Sequence, residues 1–229
     1  MLRAQARHLV PGVVGPIELV LDAPAGRTAP RGVAFIGHPH PLYGGTLDNK
    51  VAATLARTFA HDGWLAVRPN FRGVGASAGT HDEGRGEATD LLHLIDTRAT
   101  WLASLGLTDA PTLALAGFSF GTFVVAQVAV TLSARGAPPA VLVLTGTAAG
   151  KWPMPVLPAA LRSSTLLVHG ELDDTIALTD VLTWAAPQDL PVVVFPGGDH
   201  FFHRRLTLLR DWVARHLAWR GANPTDSVL

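Results

Sequence analysis

Gly117-Phe118-Ser119-Phe120-Gly121 is the stretch from which the fold can be read. The apolar run Thr112–Ala116 precedes it and a second apolar run, Thr122–Leu132, follows. The pattern predicts a buried strand, a glycine-pinched corner and then a helix. A side chain at either flanking glycine would collide with the neighbouring strand or helix. The corner therefore lifts Ser119 Oγ out at the carboxyl edge of a sheet, above helix N-terminal amides. Such a corner suits a nucleophile; a small serine filling a tight turn is the bland alternative.

Composition sets outer bounds. At 229 residues the chain can bury a sizeable core as one α/β domain, expected over 1–220, with 221–229 a frayed tail. The formal charge of zero gives no footprint for nucleic acid. There is no cysteine, which excludes disulfides, thiolate metal sites and a cysteine nucleophile. Met1–His8 carries no apolar leader-like run, and no stretch of about 18 apolar residues offers a membrane span. The expectation is a cytoplasmic protein.

Outward from the corner, further short apolar runs read as strands. Arg7–Val10 and Pro16–Leu21 form an edge hairpin, followed by Gly32–Gly37 and Trp64–Arg68. After the corner come Ala140–Leu144, Thr165–Val168 and Pro191–Phe195. Helical spacing covers Asn49–His61, Glu87–Leu105, a short piece at Thr179–Ala186, and Phe202 to about Trp219. Strands alternating with helices predict a mostly parallel twisted sheet of about eight strands, with helices on both faces.

Ligands on such sheets bind beyond the carboxyl ends of the strands. His38 and His40 follow the third strand, Asn70 and Arg72 the fourth, and Ser119 the fifth. Asp173 and Asp174 follow the seventh and His200 the eighth. A serine, an acid and a histidine thus emerge at one edge in the order Ser…Asp…His, the order of the α/β-hydrolase fold.

From end to end the chain resembles an α/β-hydrolase. It is similar in particular to a compact bacterial group of predicted serine hydrolases. The residues that carry the resemblance are His38-Pro39-His40-Pro41-Leu42-Tyr43-Gly44-Gly45-Thr46-Leu47-Asp48-Asn49-Lys50, Asn70-Phe71-Arg72-Gly73-Val74-Gly75, the Ser119 corner and Gly198-Asp199-His200-Phe201-Phe202. The resemblance implies esterase-like acyl hydrolysis of a small molecule. Thioester or amide cleavage and acyl transfer remain open, as does a non-catalytic binding protein on the same scaffold.

Ser119 needs a base, and His200, reached through Gly197-Gly198-Asp199, can take its proton and return it to a leaving group. The resembling pattern, glycine, two residues, then aspartate, puts the orienting acid at Asp173 rather than Asp174 or Glu171. The oxyanion needs two donors. One is the Phe120 N–H; the other comes from the loop after the third strand, at His40, with Leu42 and Tyr43 as alternatives because Pro39 and Pro41 cannot donate. No cofactor or metal is expected, although His38, His40, His200 and His203 are the set that would suggest one. About twenty residues separate the sixth and seventh strands, too few for a helical cap. Trp152 and Met154 would then form a low apolar wall, with Tyr43 lining the acyl pocket. The expected site is open, for short or medium acyl groups.

Overall fold

A computed structural model describes residues 6–26 and 29–222. Its strands are β1 Arg7–Val10, β2 Ile17–Asp22, β3 Val33–Gly37, β4 Leu65–Pro69, β5 Leu113–Phe118, β6 Val141–Thr145, β7 Thr165–Gly170 and β8 Val192–Phe195. They form one sheet in the order β1-β2-β4-β3-β5-β6-β7-β8. β1 and β2 form an antiparallel hairpin at the edge, and β2 joins β4 antiparallel. From β4 across to β8 every pairing is parallel.

Side chains alternate along the strands, so each strand feeds two cores. Val33, Phe35 and Leu115 point into one, with Leu91, Phe123 and Val128. Ala34, Ile36, Ala114 and Ala116 point into the other, with Leu55, Phe59, Val213 and Leu217. The second core is closed by α1 Lys50–His61 and α7 Leu206–Ala222. The first is closed by α2 Arg85–Asp96, α3 Arg98–Ser104, α4 Phe120–Ala134, the single turn α5 Ala159–Arg162 and α6 Leu178–Ala185. α4 follows the central strand and is buried over most of its circumference. The sheet is thus covered on both faces, as alternating strands and helices require.

Beyond shifts of one or two residues at element ends, three boundaries differ from the sequence reading. The helix expected over Glu87–Leu105 is two helices, because Thr97 Oγ1 donates to His93 O at 2.7 Å and closes α2 before α3 begins. The final helix begins at Leu206 instead of Phe202, after a turn in which Phe202 and Arg204 take positive φ. Gly221 and Ala222 complete α7, near Arg220, whose Nε donates to Ala140 O at 3.3 Å; residues 223–229 of the expected tail lie outside the described residues. Between β6 and β7 only α5 and a bridge from Ala149 to Trp152 intervene, so among the described residues no cap covers the carboxyl edge. No helix among the described residues is long and apolar enough to cross a membrane.

Candidate active site

β5 ends at Phe118 and α4 starts at Phe120, which leaves Ser119 alone to make the turn. Its φ of +55° and ψ of −125° are sparsely populated for a residue with a side chain. The glycines explain how the corner closes. A Cβ on Gly117 would come within 2.5 Å of Gly121 O, and one on Gly121 within 2.4 Å of Gly37 O. Two threonines hold the turn. Ser119 O accepts from Thr122 Oγ1 at 2.6 Å, and Thr145 Oγ1 donates to Gly117 O at 2.8 Å. Neither threonine was singled out by the sequence, since their partners are backbone atoms brought near only by the fold.

His200 follows β8 through two glycines, and its ring lies 5.0 Å from that of Phe118, centroid to centroid. Its Nε2 is 3.0 Å from Ser119 Oγ, and its Nδ1 is 2.7 Å from Asp173 Oδ2. Asp173 emerges after β7 in a tight turn where Oδ1 accepts the N–H groups of Thr175 at 2.9 Å and Ile176 at 2.7 Å. Burial opposes the charged carboxylate. The His200 bond and then the Ile176 N–H outweigh it, and Asp173 is held below the usual carboxylate range. The other two acids go elsewhere: Glu171 accepts the Gly197 N–H at 2.9 Å and braces the loop that delivers His200, while Asp174 sits exposed at the rim.

The loop after β3 turns as a 3-10 helix at Pro41–Tyr43 with His40 as its cap. Within it Leu42 N–H goes to His40 Nδ1, while the N–H groups of Tyr43 and Gly45 go to His40 O. Leu42 and Tyr43 are thereby committed inside the turn. Among the described residues, no acceptor meets the backbone N–H of His40 or of Phe120. The rings of His40 and Phe120 lie 4.9 Å apart, which brings those two segments together.

His38 departs from the metal alternative. It is wholly buried: Nε2 accepts the Phe71 N–H at 2.9 Å, which leaves the proton on Nδ1 to donate to Pro39 O at 2.6 Å. Desolvation pulls its pKa down to about 4, and with both nitrogens engaged it has no lone pair to offer. His203 pairs with Asp199 at 2.7 Å on the surface. Among the described residues, no three histidine or carboxylate side chains converge as a metal set.

A cavity of about 400 Å³ opens beside Ser119 and Phe120, lined by His40, Tyr43, Ala148, Lys151, Trp152, Asp174, Thr175 and Ile176. Tyr43 stands exposed over His40, and Trp152 stacks on Phe123 at 5.4 Å. Met154 packs against the core and does not line the cavity. A larger groove of about 700 Å³ between α1 and α7 holds Arg57, His61 and Arg210 but no nucleophile paired with a base.

The sequence reading also missed His81, whose Nδ1 lies 2.8 Å from the buried Glu87, and His169 beneath Asp173. His81 lies deep in the loop after β4, and His169 directly follows the expected strand Thr165–Val168 but belongs to β7, which runs on to Gly170. A histidine directly after the apolar run Leu166-Leu167-Val168 was the available signal for the second.

No family model matches the sequence. A lidless α/β serine hydrolase from Xanthomonas campestris is 33% identical, with a TM-score of 0.79 and 96% of each chain covered. An α/β serine hydrolase homologue from Coxiella burnetii is 34% identical, with a TM-score of 0.76, over 95% of this chain and 99% of that one. An uncharacterised protein of Rickettsia prowazekii is 35% identical over 119 residues; the match spans about half the length of that curated relative, 48% of each chain. Fold and relatives together define a hydrolase. The chain belongs to the α/β serine hydrolases.

Proposed function

We propose that this protein cleaves carboxylic esters through an acyl-enzyme, with Ser119 as nucleophile, His200 as general base and acid, and Asp173 as the orienting carboxylate. The observation that carries the reading is the continuous chain from Ser119 Oγ to His200 Nε2 at 3.0 Å and from His200 Nδ1 to Asp173 Oδ2 at 2.7 Å. Ser119 Oγ attacks the ester carbonyl as its proton passes to His200 Nε2. The negative charge that develops on the carbonyl oxygen is received by the N–H groups of Phe120 and His40. Collapse expels the alkoxide, which takes the proton from His200 and leaves the acyl group on Ser119. A water molecule, deprotonated by His200, then releases the acid by the same steps in reverse order of roles.

No step calls for a metal or cofactor, because the base activates the nucleophile and backbone donors hold the oxyanion. The engagement of both His38 nitrogens supports this. Residues 1–220 form the catalytic unit, in the compact group that the Ser119 corner and the His38–Lys50 loop resemble. The cavity of about 400 Å³ and the absence of a cap favour small-molecule substrates with short or medium acyl groups, with Tyr43 and Trp152 as walls. The same residues could cleave thioesters or amides, so the leaving group is the property to vary.

The experiment has two arms. A fluorophosphonate probe should label Ser119 in the native protein and fail after heat denaturation. A panel of p-nitrophenyl, alkyl, thio- and anilide derivatives should show fastest turnover for esters of short or medium acyl groups, unaffected by exhaustive chelation. Lack of native labelling overturns the nucleophile. Loss on chelation, restored by zinc, transfers the chemistry to a metal.

A further inference from the structure

β7 ends at His169-Gly170, and the turn that carries Asp173 follows at once. His169 is wholly buried. Its Nε2 lies 3.0 Å from Ile176 O and 3.3 Å from Asp173 Oδ2. Beside the carboxylate, both oxygens act only as acceptors, so the Nε2 nitrogen carries the proton. Nδ1 is buried without a hydrogen-bond partner. A second proton there would be an unsatisfied donor on a buried cation, so the ring is held neutral. Desolvation works the same way, lowering the affinity of His169 for a proton despite the nearby carboxylate.

The bonds form a closed clamp. Ile176 receives the His169 proton at its carbonyl and sends its own N–H to Asp173 Oδ1 at 2.7 Å. Thr175 N–H donates to the same oxygen at 2.9 Å. Asp173 Oδ2 is left facing two imidazoles, His200 Nδ1 at 2.7 Å and His169 Nε2 at 3.3 Å. We propose that His169 is a positioning residue for the Ser119–His200–Asp173 unit, a neutral donor that fixes the 173–176 turn and so aims Oδ2 at His200. The proposal rests on the serine-hydrolase reading above. The neutrality matters to the role. A cation in that place would share the Asp173 charge that stabilises the imidazolium of His200, whereas a neutral N–H orients the carboxylate and leaves its charge to His200.

Two variants and one measurement on the unmodified protein test this. His169→Leu keeps the bulk and removes the donor; His169→Gln keeps an N–H donor within reach of Ile176 O. The Leu variant should lose about ten-fold in kcat with KM within about two-fold, the scale of one charge-adjacent hydrogen bond. The Gln variant should recover most of that loss. Equal losses in the two variants, or none in either, overturn the role. If His169→Leu does not fold, nitrogen-15 NMR of histidine-labelled native protein decides the matter. The His169 ring should be neutral with its proton on Nε2 at about pH 7, and a cationic ring or a proton on Nδ1 there overturns the proposal. A native protein that takes no fluorophosphonate label would remove the reading beneath. One that labels but treats Gln and Leu alike removes only His169.

Discussion

Among the described residues, three histidine–carboxylate pairs joined through Nδ1 have nearly the same bond and three different surroundings. His200 meets Asp173 at 2.7 Å, His81 meets Glu87 at 2.8 Å, and His203 meets Asp199 at 2.7 Å, each through Nδ1. The first is buried at both ends, the second has a fully buried acid, and the third is largely exposed. Only His200 turns its other nitrogen to a hydroxyl, Ser119 Oγ. His81 instead packs its ring on His40 at 4.7 Å and Phe120 at 5.4 Å, while Glu87 accepts the N–H groups of Asp82 and Gly84 and closes the start of α2. The pair bond alone therefore does not make a base. A hydroxyl within reach of the other nitrogen is what separates the three.

The largest test of that distinction removes the proposed nucleophile or its proposed base. Ser119→Ala and His200→Ala should each lower ester turnover by on the order of 10⁴, and the double variant should be little worse than either. Losses that add on a logarithmic scale would show two independent contributions and break the unit. Asp173→Asn should cost nearly as much, while Asp174→Asn should cost less than about ten-fold, since Asp174 is exposed at the cavity rim. The reverse ranking in steady-state rates would shift the orienting acid by one residue.

A histidine without a carboxylate sharpens the contrast. His38 is buried between a carbonyl and an N–H, and its pKa is lowered to about 4. Because the unfolded chain binds this proton near pH 6.5, stability from His38 is present above that value and lost as pH falls toward the folded pKa. The span corresponds to about 3 kcal/mol between pH 7.5 and 4. Urea melts of the native protein and of His38→Gln at both pH values check it. The difference between the two pH values should shrink in the variant by roughly that amount, and an unchanged difference would mean that other groups carry the acid sensitivity.

How much of this could be read in the sequence follows from how local each feature is. The strands are continuous apolar runs and the Ser119 corner is marked by its own glycines, so the sheet and the elbow are legible. The convergence of Ser119, Asp173 and His200 is legible too, because each stands just past a strand of a parallel sheet. The break at Thr97 is not, since apolar spacing runs on through Leu94, Ile95 and Leu102 while one side-chain bond to His93 O ends the helix. The His81–Glu87 pair and the Thr122 and Thr145 braces are set by loop closure and strand register, which periodicity does not encode. His38 stands where the sequence can see it, but only the fold shows that it points inward.

The second pair should trade stability for chemistry. Glu87→Gln keeps one buried oxygen and replaces the other with an amide donor, so Oε1, which serves the Asp82 N–H and His81, and Oε2, which serves the Gly84 N–H, cannot both be kept. A loss of about 2 kcal/mol is expected, with a fall in Tm of about 4–8 °C. Turnover below the melting range should stay within about ten-fold, in contrast to Asp173→Asn. A collapse of kcat in a folded Glu87→Gln protein would mean that His81 acts on the reaction through His40, and the separation between the two pairs would fail.

The exposed pair should matter least, and its neighbourhood makes that a demanding test. Asp199 precedes His200 directly and accepts both the backbone N–H of His203, at 2.9 Å, and its ring Nδ1. Slight burial opposes its charge; the His203 N–H and ring outweigh that and hold its pKa below the usual carboxylate range. What stability this gives is present above the ordinary carboxylate pKa and lost as pH falls through the lowered one. With the His203 side chain 73% and that of Asp199 43% exposed, water and salt screen the attraction. His203→Ala keeps the backbone bond and removes only the ring. It should change stability by less than about 0.5 kcal/mol, an effect that fades by 1 M salt, and should leave kcat/KM within about two-fold. The sensitive measurement is the pH profile of kcat/KM, which reports the ionisable groups of the free enzyme. If His203→Ala moves that profile, Asp199 reaches the Ser119 site through the short loop it shares with His200. The three pairs would then be graded by distance from Ser119 and not divided by whether a hydroxyl faces them.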